Sequence, residues 1–405
     1  MELPLEFLVD MEIIRRIPPL LRKWEYTWLC LLVIIVLGLH FAIINQPAQP
    51  VFDEYYYTAD ARSFLQGEGK LRAEHPPLGQ LLIISGTLIF GDNPFGWRFV
   101  PVVFSAAGVV LFYLICRRLE MSRRAGWLAT FLLSLENMSF VQGSVAMLDV
   151  FTVTFMLLGF WLYLRGNYIP SGAVLTLSTL TKLTGILAFP VILVHWLLTK
   201  RPQPVKLVAS LVVAYAGFWL LLPLLDFAVI GQFDNPVTRV LLMFTQGNTL
   251  TFTAFPSGLA TRPWDWLLRP QFGIHPAGSH YMWTISFGVW ALIIPTTVYL
   301  LVRAIKGNRA ALFATLWFAG TYLLWIPTVL VTQRLTYIHY FYPAIGAVCL
   351  GLGLGFSQLL DLWHTRKLRW TAIAIVSLFL LSHVVIFAAM SPLPTWKLLF
   401  FNYIQ

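Results

Sequence analysis

Long apolar runs separated by short basic loops recur from Trp24 to Met390, and no other feature of the chain constrains its fold as tightly. A helix needs roughly 20 mostly apolar residues to cross the hydrocarbon of a bilayer. Runs of about that kind lie at about 24–45, 97–116, 125–145, 149–164, 169–183, 184–199, 205–224, 282–302, 310–330, 340–360 and 371–390, giving about eleven transmembrane helices. Lys182 interrupts one apolar run over 169–199, which is too long for an easy single crossing. Two short tilted helices meeting at the lysine accommodate it better. The stretch 78–90 is too short to span and reads as an interfacial or re-entrant helix. The run beginning near Trp24 is full length and lacks a small-residue cleavage site, so it is expected to be a retained span, not a signal peptide.

Composition agrees with this reading: 58% of the residues are hydrophobic and only 11% charged, against about 25% charged in a soluble domain. A single all-α integral membrane domain over residues 1–405 is expected. The net charge of +10 does not indicate nucleic acid, because the cations sit between apolar runs. Arg15/Arg16/Arg22/Lys23, Arg117/Arg118/Arg123/Arg124, Arg165, Lys200/Arg201/Lys206, Arg303/Lys306/Arg309 and Arg366/Lys367/Arg369 make up eighteen of the 28 Lys and Arg residues and fall on one side. Short basic loops mark the cytoplasmic face. The N-terminus is therefore expected there, with two long external loops at about 46–96 and 225–281. Loops this long are usually functional, so the active face is expected to be external. Cys30, Cys116 and Cys349 are too few and dispersed for a disulfide framework or a zinc site. Gly351, Gly353 and Gly355 lie inside an apolar helix and read as close packing, not a nucleotide loop.

The spans bring ionisable residues from separate stretches to the external level. Asp53, Glu54, Glu74, His75 and Arg98 come from the first loop and the start of the second span. Asp149, Lys182, Arg334, Tyr337, His339 and Tyr340 join them. Charges at membrane depth are costly and usually functional. Bland readings stand beside this one: Asp53 and Glu54 as solvated interfacial charges, Asp149 as an N-cap, Lys182 as a snorkelling side chain and Arg98 as a helix-start anchor. His40, His195 and His383 are isolated on apolar helices and take no role. Glu74 and His75 with His275 or His280 are candidate metal donors, although zinc sites need three or four ligands at defined spacings.

Phe52-Asp53-Glu54, His75-Pro76-Pro77-Leu78-Gly79, Asn93-Pro94-Phe95-Gly96-Trp97-Arg98, Leu148-Asp149, Thr181-Lys182-Leu183-Thr184-Gly185, Arg262-Pro263-Trp264-Asp265-Trp266, Arg334 and Tyr340-Phe341-Tyr342-Pro343 form an ordered set over about 24–390. That set resembles the protein O-mannosyltransferase family of the GT-C glycosyltransferases. The resemblance implies a GT-C bundle of about eleven spans, its two external loops bearing juxtamembrane helices. It implies an inverting transfer of a sugar, mannose in this family, from a polyprenyl- or dolichyl-phosphate carrier to a hydroxyl, a protein Ser or Thr in this family. Asp53 then corresponds to the catalytic base, and Glu54 and Arg98 to residues needed for activity. Lys182 and Arg334 fall where the similar aminoarabinose transferases bind the lipid phosphate. Glu74 before His-Pro-Pro also looks like those enzymes, where that acid coordinates a metal and the acceptor is an envelope lipid. The second external loop lacks the large soluble insert of eukaryotic members.

The expected mechanism is direct displacement at the anomeric carbon. Asp53 takes the acceptor's proton, while Lys182 with Arg98 or Arg334 neutralises the departing phosphate. Glu54, Glu74, His75, Asp149, His339 and Tyr340 are expected to bind substrate, and Trp264 and Trp266 to wall the sugar or anchor the interface. No metal is required by this scheme, although Glu74 leaves one open. A flippase of lipid-linked sugars is the rival from another class, but it would hold its charges near the midplane.

Overall fold

In a computed structural model the described residues are 24–68, 72–200, 203–231, 233–254, 258–274, 281–361 and 366–393. The basic cluster Arg15/Arg16/Arg22/Lys23, Arg201, His275 and His280 lie outside them.

The chain is helical almost throughout. Helix α1 (Glu25–Ile43) leads to a loop that opens the short polar helix α2 (Glu54–Leu65) and then α3 (Leu78–Phe90). α4 (Pro94–Arg118), α5 (Arg123–Ser134), α6 (Asn137–Ser144), α7 (Leu148–Leu164) and α8 (Tyr168–Thr181) follow. A 3-10 turn, Leu183–Leu187, leads into α9 (Ala188–Thr199), and α10 (Pro204–Ile230) closes the first half. The second long loop carries α11 (Pro236–Thr249), the single turn α12 (Asp265–Leu268) and a two-stranded antiparallel hairpin of β1 (Gly273–Ile274) and β2 (Met282–Trp283). The chain ends in α13 (Phe287–Ala291), α14 (Ile293–Ile305), α15 (Arg309–Phe318), α16 (Trp325–Thr332), α17 (Tyr342–Leu359) and α18 (Arg366–Met390).

Caps explain where the helices begin. Asn93 accepts from the Gly96 N–H and Pro94 occupies the first turn of α4; Ser122, Glu136, Asn235 and Asn308 cap α5, α6, α11 and α15 in the same way. Each satisfies an N–H that has no intrahelical partner.

Among the described residues six helices are long and apolar enough to cross a membrane, and α6 with α7 makes a seventh if the bent pair is one span. α3, the 183–199 segment and α14 are apolar but shorter. One expectation needs correcting. The run 125–145 is not one helix: it breaks after Ser134, where Glu136 caps a new helix. α6 then turns by 114° into α7, so the chain doubles back there. The run that Lys182 interrupts does split at that residue, whose backbone is extended between α8 and the 3-10 turn.

The segment 338–359, which includes α17, is the centre of the bundle, with 78% of the residues in its apolar 18-residue stretch buried, against 22% in those of α1 and α10, and α10 exposes apolar residues such as Val208, Val212 and Leu224. Such a surface belongs in lipid. Phe112, Phe160, Phe313 and Trp317 interlock edge-to-face beneath α17, and Gly172 and Gly353 let their helices approach the backbone of α10 and α5 closely.

Candidate active site

Two breaks in the helices create the site. At the first, Val145-Ala146-Met147, the backbone is extended, and α7 starts with Asp149 in its first turn. At the second stands Lys182. Its ammonium lies 2.8 Å from both oxygens of Asp149, both side chains being almost wholly buried. Asp149 is not the N-cap, which is Met147; its carboxylate faces the lysine and also gains from the helix dipole. Gly79, at the start of α3, sits on both breaks: a Cβ there would meet Leu148 Cδ2 at 2.8 Å and the Thr181 carbonyl at 3.1 Å.

Asp53 faces this pair. It occupies the N-cap position of α2 but makes no capping bond, and its carboxylate has no hydrogen-bond partner among the described residues. Burial pushes its pKa above the ordinary carboxylate value; the Lys182 charge opposes that rise and Asp149 adds to it. Phe52 just before it has φ 56°, a left-handed conformation that bulky residues rarely adopt. Its ring is held against Trp283 of the hairpin at 3.4 Å between centroids. Strain of this kind costs of order 1–3 kcal/mol and persists only where packing imposes it.

Glu54 and Arg98 lie beneath the site rather than in it, which corrects the expectation that they touch substrate. Both side chains are wholly inaccessible. Arg98 gives Nε and Nη2 to Glu54 at 2.8 and 2.7 Å and donates its remaining N–H groups to the carbonyls of Ile44, Pro47 and Gln49. Glu54 also accepts from the Val51 and Ala146 N–H groups. No donor of the arginine is left for a ligand. The pair ties the 44–51 loop, the start of α2 and the first helix break into one piece.

His75 lies near Tyr57, ring centroids 6.3 Å apart. Burial, followed by the Lys182 charge, lowers its pKa to about 3, so the imidazole is neutral. Glu74 is half-buried and bonded to Arg72 at 3.2 Å. The Arg72 guanidinium in turn lies 3.7 Å over the Tyr56 ring. Among the described residues no three His, Cys, Asp or Glu side chains converge to hold a metal. Glu74 is engaged by the Arg72 cation, and the other expected donors, His275 and His280, lie outside the described residues.

The 338–341 turn forms the opposite wall. Tyr340 puts its ring 5.2 Å from the Lys182 ammonium and packs on Trp325 at 4.8 Å. His339 is buried between Tyr337, Tyr340 and Trp283, and its Nδ1 finds no partner among the described residues. Trp266 is fully buried, donating to Thr261 Oγ1, so it is not a sugar-facing wall. Trp264 is half-buried with Arg262 over its ring.

A cavity of about 600 Å³ lies along α8, α10, α11 and α16, and its wall includes Leu183, the residue after Lys182, and Trp325, which packs on Tyr340. Its lining is almost entirely apolar, including Leu183, Tyr215, Phe218, Val240, Phe244 and Trp325, and among the described residues Arg334 is the one charged residue in it. The Arg334 guanidinium has no carboxylate partner among the described residues.

Sequence reasoning missed Arg239 and Asp226. Arg239 of α11 pairs with Asp226 at 3.1 Å and donates to the carbonyls of Ala73 and His75. The signal was there: Val237, Val240, Leu241 and Phe244 fall at helical spacing within what reads as a loop.

The sequence profile described as dolichyl-phosphate-mannose-protein mannosyltransferase matches residues 30–242. A polyprenol-phosphate-mannose–protein mannosyltransferase of Mycobacterium tuberculosis is 35% identical over 147 residues, 35% of this chain but only 28% of that relative's length. The S. cerevisiae protein O-mannosyltransferase Pmt1-Pmt2 complex, solved bound to the sugar donor, superposes with a TM-score of 0.73 at 11% identity, covering 91% of this chain and 90% of that one. ArnT from Cupriavidus metallidurans, solved bound to undecaprenyl phosphate, gives 0.62 at 18% identity over 92% and 78%. At these identities the two structures share a fold with this chain.

Proposed function

The chain belongs to the dolichyl-phosphate-mannose-protein mannosyltransferase family, and from that premise we propose that it is a single membrane-embedded transferase moving mannose from a polyprenyl-phosphate carrier to a protein hydroxyl. The observation that carries this reading is the apolar cavity lined by Arg334 and by Leu183, the residue after Lys182, together with the Asp53 carboxylate, which feels the Lys182 charge and has no hydrogen-bond partner among the described residues. A long apolar chain fits the cavity. Cations at its end suit the phosphate, and a base beyond them suits the sugar's far face.

In the reaction the acceptor oxygen attacks the anomeric carbon as the bond from that carbon to the phosphate oxygen breaks. The electron pair leaves with the polyprenyl phosphate, and Asp53 takes the acceptor proton. An alcohol is a weak nucleophile at neutral pH, and a carboxylate made more basic by burial removes its proton more readily. Lys182 has three donors, two aimed at Asp149, leaving one for the phosphate. Arg334 supplies a forked partner. Asp149 keeps Lys182 charged and aimed. His75, neutral, and His339 offer hydrogen bonds to the sugar, and Tyr340 backs the lysine. Glu74 acts through Arg72. No step runs through a metal. We place the site end of the bundle on the external face and the basic loops in the cytoplasm.

The test is reconstitution in lipid nanodiscs with polyprenyl-phosphate-mannose and a Ser/Thr peptide. Mannose should appear on the peptide with the wild type and not with Asp53→Asn. Near-normal transfer by Asp53→Asn removes the base assignment. Transfer to lipid but never to peptide replaces the acceptor.

A further inference from the structure

α11 joins two parts of the molecule that the reaction uses separately. On one face, Val240 and Phe244 line the apolar cavity. Val240 also packs on a small buried cluster of Leu180, Leu222 and Met243, against which Leu78, just after His75-Pro76-Pro77, packs as well. One residue before Val240, the Arg239 guanidinium reaches the other way. It is 6% exposed, paired with the buried Asp226, and holds the Ala73 and His75 carbonyls. Two adjacent residues of one helix therefore touch the cavity and the backbone that presents Glu74 and His75.

The rest of α11 is lightly held. Val237, Leu241, Leu242 and Phe244 are exposed apolar residues, and Asn235 fixes only the first turn. A helix with few buried contacts sits at the low end of local stability. An apolar chain lying against Val240 and Phe244 adds contacts that the helix lacks. Arg239 is rigidly bonded at three points, so steadying the helix steadies the loop.

We infer that Arg239, oriented by Asp226, is a positioning residue through which a bound prenyl tail orders the Ala73–His75 loop. This rests on the proposed lipid-linked donor. Tail and loop are then coupled although they do not touch, and the coupling is reciprocal, as any linkage between two sites must be.

The experiment compares two probes with one headgroup, undecaprenyl phosphate and geranyl phosphate, added to the full chain in nanodiscs. The readout is amide hydrogen exchange over residues 72–82. Both probes present the phosphate, so any difference reports the tail. In the wild type the long tail is expected to slow exchange roughly fivefold or more relative to the short one, the lower end of usual coupling. Arg239→Gln should abolish that difference. Val240→Ala with Phe244→Ala, which leaves the guanidinium in place, should abolish it too and guards against misfolding of the first variant. Arg239→Lys keeps the charge for Asp226 but loses the fork, and should retain only part of the effect. Equal exchange with both tails in the wild type, or an undiminished difference in Arg239→Gln, overturns the inference. A wild type that shows the tail effect but transfers no mannose leaves the inference standing and removes the mannosyl reading instead.

Discussion

Asp53 and Glu54 are neighbours in sequence with opposite electrostatic fates. Glu54 is saturated by Arg98 and two backbone N–H groups, while the Asp53 carboxylate has no hydrogen-bond partner among the described residues and its pKa is raised by burial. Folding therefore favours the protonated form of Asp53. Its contribution to stability is present below the ordinary carboxylate range and is lost as pH rises through the raised value. At neutral pH the charged form costs stability, so Asp53→Asn should melt at or above the wild-type temperature while losing about 10²–10⁴-fold in transfer rate. Scanning fluorimetry and the peptide assay on one preparation check both halves. Activity should fall on acidification as Asp53 gains its proton, and His75, already neutral with a pKa near 3, adds no step between pH 5 and 8. Glu54→Gln should behave in the reverse way. Breaking a buried pair leaves Arg98 uncompensated, at a cost of about 3–5 kcal/mol, so the melting temperature should drop sharply. A stable Glu54→Gln protein would show that the pair is not the clamp its geometry describes.

The elements of the site depend on interrupted helices held at backbone contact. A Cβ on Gly86 of α3 would run into the Gly96 carbonyl of α4, and one on Gly96 into the Gly91 carbonyl. Neither oxygen can yield without moving the α3–α4 hairpin that places His75 and Arg98. Gly86→Ala should cost about 1–3 kcal/mol, seen as a lower melting temperature in nanodiscs. Gly38→Ala in α1, where a Cβ meets nothing within 4 Å, is the control expected to melt like the wild type. What the sequence disclosed follows from the same physics. The break at Lys182 was legible because a buried cation inside an apolar run has to end a helix or find a partner, and here it does both. The break near 135 was not legible: Glu136 reads as one charge in a span, and although its cap on the Ser139 N–H is local, the bond to the distant Ser286 N–H that helps to bury it is a tertiary fact. Glu54 and Arg98 were visible as charges near a site, but only packing decides which of two adjacent acids turns inward. Arg239 and Asp226 belong to different elements that nothing local in the sequence pairs.

At the scale of the molecule the charges separate to two ends. α4 begins near Arg98 beside the site and ends at Arg117 and Arg118, about 30 Å away at 1.5 Å per residue. Around that far end the loops are tied by ion pairs, Arg124 to Asp361 at 2.6 Å and Arg117 and Arg123 to Glu25 at 2.8 and 2.5 Å, while Arg118 donates to the Leu164 carbonyl. Excess cations at one end of a bundle favour its retention in the cytoplasm during insertion, and the orientation proposed above on that ground has Asp53, Lys182 and Arg334 facing outward. The orientation can be read directly. Cys116 and Cys349 are buried and Cys30 is exposed, so Cys30→Ser gives a quiet background for single labelling sites. Gln66→Cys, exposed after α2, and Asn167→Cys, exposed between α7 and α8, sample the two ends. A membrane-impermeant maleimide added to intact cells should label the first and spare the second, and permeabilisation should expose both. Labelling of Asn167→Cys alone in intact cells would invert the molecule and put the transfer chemistry on the cytoplasmic side.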